Sequence, residues 1–135
     1  MSFKHNIFIF QIALMLSLPS VGFSDADTGR QLYETYCAAC HGVKGEGDKK
    51  WPELNVLGDM TAPPHNETGH TWRHSTEELV KMTLKGHRDP YNETEFLNMP
   101  SFEGILTREQ VIDILSYLKQ WWTPYQLEAQ LKKDE

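Results

Sequence analysis

The chain's two cysteines both fall in Cys37-Ala38-Ala39-Cys40-His41, a spacing with a specific chemical use. Residues three and four apart on a helix are neighbours. Two thiols so placed can form thioethers with two vinyl groups on one edge of a porphyrin, and the histidine can turn a ring nitrogen onto the iron. Ala38 and Ala39 are small enough to leave the porphyrin unobstructed. A disulfide here would close a loop of only a few residues and restrain the unfolded chain very little. A dithiol redox pair shares the spacing but belongs in a βαβ setting that this sequence lacks. Half a zinc site would need two more ligands from His65, His70, His74 and His87, and no pair of these combines the spacing and helical setting of a zinc finger except His70 and His74, which lie near a loop. The pattern therefore points to one covalently attached haem (haem c), with Cys37 and Cys40 as attachments and His41 as an iron ligand.

An iron that only passes electrons commonly has its second axial position filled by Met or His. Beyond the leader described below, the methionines are Met60, Met82 and Met99. Met82 lies among Leu79, Val80 and Leu84 and reads as helix core. Met60 lies in a Pro/Gly-rich segment. Met99 precedes Pro100, which favours an extended backbone at Met99 and a side chain presented from a loop. It also lies far from His41 in sequence, so ligation there would clamp the haem between the two ends of a domain. One of the four spare histidines is the alternative ligand.

The elements that must position these groups read as helices. Residues 25–41 form a first helix, with Leu32, Tyr33, Tyr36, Cys37 and Cys40 at helical spacing. Gly42, Gly45 and Gly47 end it. Ser75 and Glu78 make a capping box, with Gly86 as the stop signal of a second helix. Thr107 and Gln110 make another, opening a helix to about Trp122 with a broad apolar stripe from Val111 to Trp122. Pro124 interrupts that helix. Residues 123–135 are then a charged tail in which Leu127 and Leu131 allow a short extra turn. Strand signals are weak, so the fold is all-α. Its loops are long, and long loops usually have a functional cause.

Residues 1–24 carry Lys4, an apolar run from Ile7 to Leu18, and small residues at Gly22 and Ser24, the layout of a secretory signal peptide. The run is shorter than the ~20 residues that cross a bilayer. Cleavage after Ser24 gives an exported, periplasmic protein without a membrane span; retention gives a membrane-anchored one. Without Lys4, 12 basic residues face 19 acidic ones. So acidic a chain is a poor partner for nucleic acid.

The Cys37–His41 motif after a short helix, Met99-Pro100-Ser101-Phe102, and the final amphipathic helix together resemble the class I c-type cytochrome family, over most of residues 25–122. The resemblance implies that the first and last helices pack together with loops wrapping one haem, and that Met99 is the distal ligand. It implies that Pro52, before Glu53-Leu54, offers its carbonyl to the His41 ring. The segment 61–72 is similar to that of small bacterial periplasmic cytochromes, which places His70 and Trp72 near the haem edge, at a propionate. The function implied is that of a monomeric single-electron carrier rather than an enzyme, exchanging electrons with donor and acceptor redox proteins. Lys44, Lys49, Lys50, Lys81, Lys85 and Arg88 are candidates for a docking face. The competing readings are a haem enzyme or gas sensor with an open sixth iron position, and a cytochrome subunit of a larger redox complex.

Overall fold

The computed structural model describes residues 25–56, 58–87 and 98–135. The signal segment, Pro90 and Arg88 lie outside them. Helix α1 (Asp25–Tyr36) is followed by α2 (Ala38–His41), and the two are nearly one helix. Cys37 N–H still donates to Tyr33 O at 2.9 Å and His41 N–H to Cys37 O at 2.9 Å. The helix expected over 25–41 is thus present with an irregularity at Cys37, where φ is −116°. Then come α3 (Thr76–Lys85), α4 (Arg108–Leu118) and α5 (Pro124–Asp134). Short 3₁₀ turns occupy Thr71–Arg73 and Lys119–Trp121. The described residues contain only isolated β-bridges, and the fold is all-α.

The core forms where α1 crosses α4, with α3 packed alongside. Tyr33, Leu79, Val80, Leu106, Val111, Ile114, Leu115 and Leu118 are its buried members. Helices come this close only where a side chain is missing, and Gly29 supplies the gap: a Cβ there would lie 2.1 Å from the Asp113 carbonyl oxygen. Tyr33 then packs against Tyr117 and Trp121, with ring centroids 5.6 and 5.5 Å away. These edge and tilted arrangements suit the ring quadrupole.

Both capping boxes expected from the sequence form. Ser75 N–H donates to Glu78 Oε2 at 2.9 Å, and Thr107 N–H to Gln110 Oε1 at 2.9 Å. A third, Thr123 with Gln126, opens α5. Pro124 is its first residue, where a missing N–H costs nothing. The extra turn expected beyond Pro124 is therefore a helix of 11 residues. Its buried face is polar: Gln126 and Gln130 are buried while Leu131 stays exposed. Asp134 receives two hydrogen bonds from Thr76, from N–H at 2.6 Å and from Oγ1 at 2.8 Å. Gln126 Nε2 donates to Glu67 O at 2.9 Å. Helix α5 is bound along its length to the 3₁₀ turn Thr71–Arg73 and to α3. No helix among the described residues is long and apolar enough to cross a membrane.

Gly29→Ala forces a methyl into the Asp113 backbone, and overpacking of this kind costs about 1–3 kcal/mol. A thermal unfolding curve followed by circular dichroism is expected to show a clearly lowered midpoint. Glu78 accepts from the Ser75 backbone and hydroxyl, which holds its carboxyl below the usual range. A depressed carboxylate contributes stability above its unfolded pKa, and that contribution is lost as pH falls through the folded value. Glu78→Gln is therefore expected to lower stability at neutral pH, with the difference from the parent chain closing in acid below about pH 4. Urea titrations across that range measure it.

Candidate functional site

Cys37 and Cys40 are both free thiols, the first half-buried and the second exposed. Burial pushes the Cys37 thiol up to about 11, with the neighbouring Cys40 adding to the shift. His41 closes α2 and is only 7% exposed. Its Nδ1 lies 2.9 Å from the Pro63 carbonyl oxygen. A carbonyl can only accept, so Nδ1 carries the proton and Nε2 keeps its lone pair for a metal. Burial lowers the His41 pKa against the opposing pull of this bond. The ring is thus neutral at pH 7, the form that ligates.

The carbonyl partner is that of Pro63, not of Pro52 as expected. The path of the loop explains the difference. Gly47 N–H donates to His41 O at 2.8 Å, and Asp48 N–H to Ala62 O at 2.9 Å. The described residues between 49 and 61 therefore loop outward, carrying Pro52 to an exposed position, and the chain returns beside His41 only at 62–64. Gly47 allows the return: with φ +75°, it sits where a Cβ would lie 2.6 Å from Pro64 N.

Sequence reasoning missed His65, which it treated as one spare histidine among four. Its ring stacks on that of His41, centroids 4.0 Å apart and planes 26° apart. Its Nδ1 is 2.8 Å from Thr71 Oγ1. Burial, and then His41 and His70, hold its pKa well below the ordinary histidine range. Position next to Pro63-Pro64 was the only available clue, and it becomes one only once Pro63 is known to face His41.

His70 and Trp72, placed together by the sequence, turn to different neighbours. His70 stacks on Trp51, centroids 6.4 Å apart, and meets His74 edge-on at 5.8 Å. Trp72 packs against Tyr125 of α5 at 5.9 Å and under Arg73. Its Nε1 donates to Gly69 O at 3.1 Å. Trp51 Nε1, by contrast, is buried without a protein partner.

Met99 is half-buried and exchanges two backbone hydrogen bonds with His87, at 3.0 and 3.1 Å. Ser101 Oγ donates to Leu84 O at 2.6 Å, which fastens the segment after Met99 to the end of α3. Phe102 meets Tyr36 edge-on at 6.1 Å, so this segment reaches the end of α1 that carries Cys37. Of the candidate docking cations, Lys85 is paired with Glu103, and Lys44, Lys49, Lys50 and Lys81 are exposed.

These groups fit a covalently held haem: two free thiols three residues apart, a neutral histidine with its tautomer fixed, and a buried indole N–H available to an acidic edge group. Among the described residues no group of three or more His, Cys, Asp or Glu side chains is placed to hold a metal ion directly.

Comparison with known proteins gives the same direction. A family model described as Cytochrome c matches residues 26–122. The chain is 30% identical over 106 residues to Cytochrome c of Ginkgo biloba, covering 71% of this chain and 88% of that protein. It is 27% identical over 95 residues to a Cytochrome c-553-like protein of Synechocystis sp. (strain ATCC 27184 / PCC 6803 / Kazusa), covering 70% and 68%. No solved structure matches. The family match ends before α5.

The loop that carries Pro63 and His65 is held from behind by Trp122, whose Nε1 donates to His65 O at 2.8 Å. Trp122→Phe leaves that carbonyl without its donor, a loss worth about 1–3 kcal/mol. A guanidinium titration is expected to show an earlier midpoint with an unchanged slope.

Proposed function

The chain belongs to the cytochrome c family, electron carriers with covalently bound haem c, and from that premise we propose that it carries one haem as a monomeric, exported single-electron carrier. Cys37 and Cys40 attach the haem through thioethers. His41 Nε2 is the proximal iron ligand and Met99 the distal one. The observation that carries this reading is the bond to Pro63 O from Nδ1–H of buried His41, the residue next to Cys40. When bound, the haem supplies an iron that alternates between ferrous and ferric states.

The chain's own residues do the rest. Pro63 holds the proton on Nδ1 and so keeps Nε2 free. It also raises the basicity of the ring, as hydrogen-bond partners of metal-bound histidines do. Tyr33, wholly buried, donates its hydroxyl to Gly42 O at 2.7 Å and fixes the turn that follows His41. Burial keeps that phenol well above its usual pKa, and therefore a donor. Met99 is offered from a segment tied to His87 and to the end of α3, from which it would hold the iron opposite His41. Met/His ligation raises the potential, which suits delivery to an oxidising acceptor. His70 and Trp51 bound the edge at which a propionate would sit, while Trp72 supports α5. The leader at residues 1–24 directs the chain to the periplasm, where redox proteins serve as donor and acceptor.

Met99→Ala is the test of the distal assignment. The ferric protein is expected to lose the absorption band of a Met–iron bond, and its potential to fall. Survival of that band in the variant would assign the sixth position to another residue.

A further inference from the structure

His41 is constrained by its hydrogen bond in direction only. A ring held by one hydrogen bond keeps some torsional freedom about its Cα–Cβ and Cβ–Cγ bonds. The stack with His65, at 4.0 Å, removes that remaining freedom. We propose that His65 is a positioning residue for His41, fixing the plane of the proximal imidazole and favouring the ferric state; this rests on the assignment of His41 as the proximal ligand.

His65 is suited to the task because its backbone N–H, its carbonyl and its ring Nδ1 are each held by a hydrogen bond. Its N–H donates to Gly45 O at 2.7 Å. Its carbonyl accepts from Trp122 Nε1 at 2.8 Å. Its ring is tied through Nδ1 to Thr71 Oγ1 at 2.8 Å, and Thr71 is itself buried. The three tethers come from the loop after α2, the end of the α4 segment and the 3₁₀ turn under α5. The ring cannot swing away from His41 without breaking at least one of them. Loss of an electron from the iron increases the positive charge on the coordinated imidazole. A neutral π face 4.0 Å away stabilises that charge more than an aliphatic side chain does. Rotation of the ring changes its overlap with the iron orbitals, so its plane has a spectroscopic signature.

The test uses holoprotein carrying His65→Leu, His65→Phe or Thr71→Val, with the reduction potential and the hyperfine-shifted haem-methyl resonances of the ferric state as readouts. His65→Leu is expected to change the ferric-to-ferrous equilibrium about two- to fivefold toward ferrous and to redistribute the methyl shifts. His65→Phe keeps a flat π face and is expected to restore most of both. Thr71→Val leaves the ring but removes its tether, and is expected to alter the methyl pattern even if His65→Leu fails to assemble. Parent-like potential and shifts in His65→Leu, a His65→Phe displaced as far as His65→Leu, or an unchanged methyl pattern in Thr71→Val would each overturn the proposal. Failure of the proximal assignment is separable, because His41→Ala would then leave the low-spin spectrum of the haem unchanged.

Discussion

A hydrogen bond of 2.9 Å from His41 Nδ1–H to the Pro63 carbonyl joins two segments 22 residues apart in sequence. Much of the remaining structure serves to keep those two atoms opposed. On one side, His41 is placed by α1 and α2, whose position is set by the close crossing of α1 over α4 at Gly29. On the other, Pro63 is placed by the returning loop, which Gly47 admits and which Asp48, Gly45 and Trp122 tie down. The bond chooses the tautomer of a buried neutral ring, and so decides which nitrogen is available to iron. A shift of either support would alter the electronics of the ligand as well as the geometry of the loop.

The same economy explains α5. The returning loop at residues 62–66 is supported from behind. Residues 123–135 provide that support through hydrogen bonds: Gln126 to Glu67, Asp134 to Thr76, and Trp122 just before them to His65. The second helical layer is therefore attached to the site rather than appended to the domain. It lies beyond the family match, which ends at residue 122.

Much of the frame was legible in the sequence because its signals are local. Ser75 with Glu78 and Thr107 with Gln110 announced two helix starts, and the Val111–Trp122 stripe announced the face that packs on α1. The Cys37–His41 spacing announced the cofactor chemistry. What could not be read depended on long-range paths. Pro52 and Pro63 both follow His41 in a Pro-rich stretch, and only the outward course of residues 49–61 decides between their carbonyls. His65 gains meaning only after that decision. Helix α5 reads only as a short extra turn from Leu127 and Leu131, which passes over its local start signal, Thr123 with Gln126 and Pro124 at the first position; its buried face is Gln126 and Gln130 rather than Leu131. Residues 1–24 lie outside the described structure, and export rests on their composition alone.

One covalent haem exchanging one electron is the claim on which the functional reading stands. The most direct measurement is the intact mass of the purified exported protein under denaturing conditions, combined with a potentiometric titration of the same sample. The expected result is a chain heavier by a single haem, with the added mass retained on the peptide spanning Cys37–His41 and a Nernst curve for one electron. A chain of unmodified mass, haem removable by acid and organic solvent, or no reversible couple would contradict it.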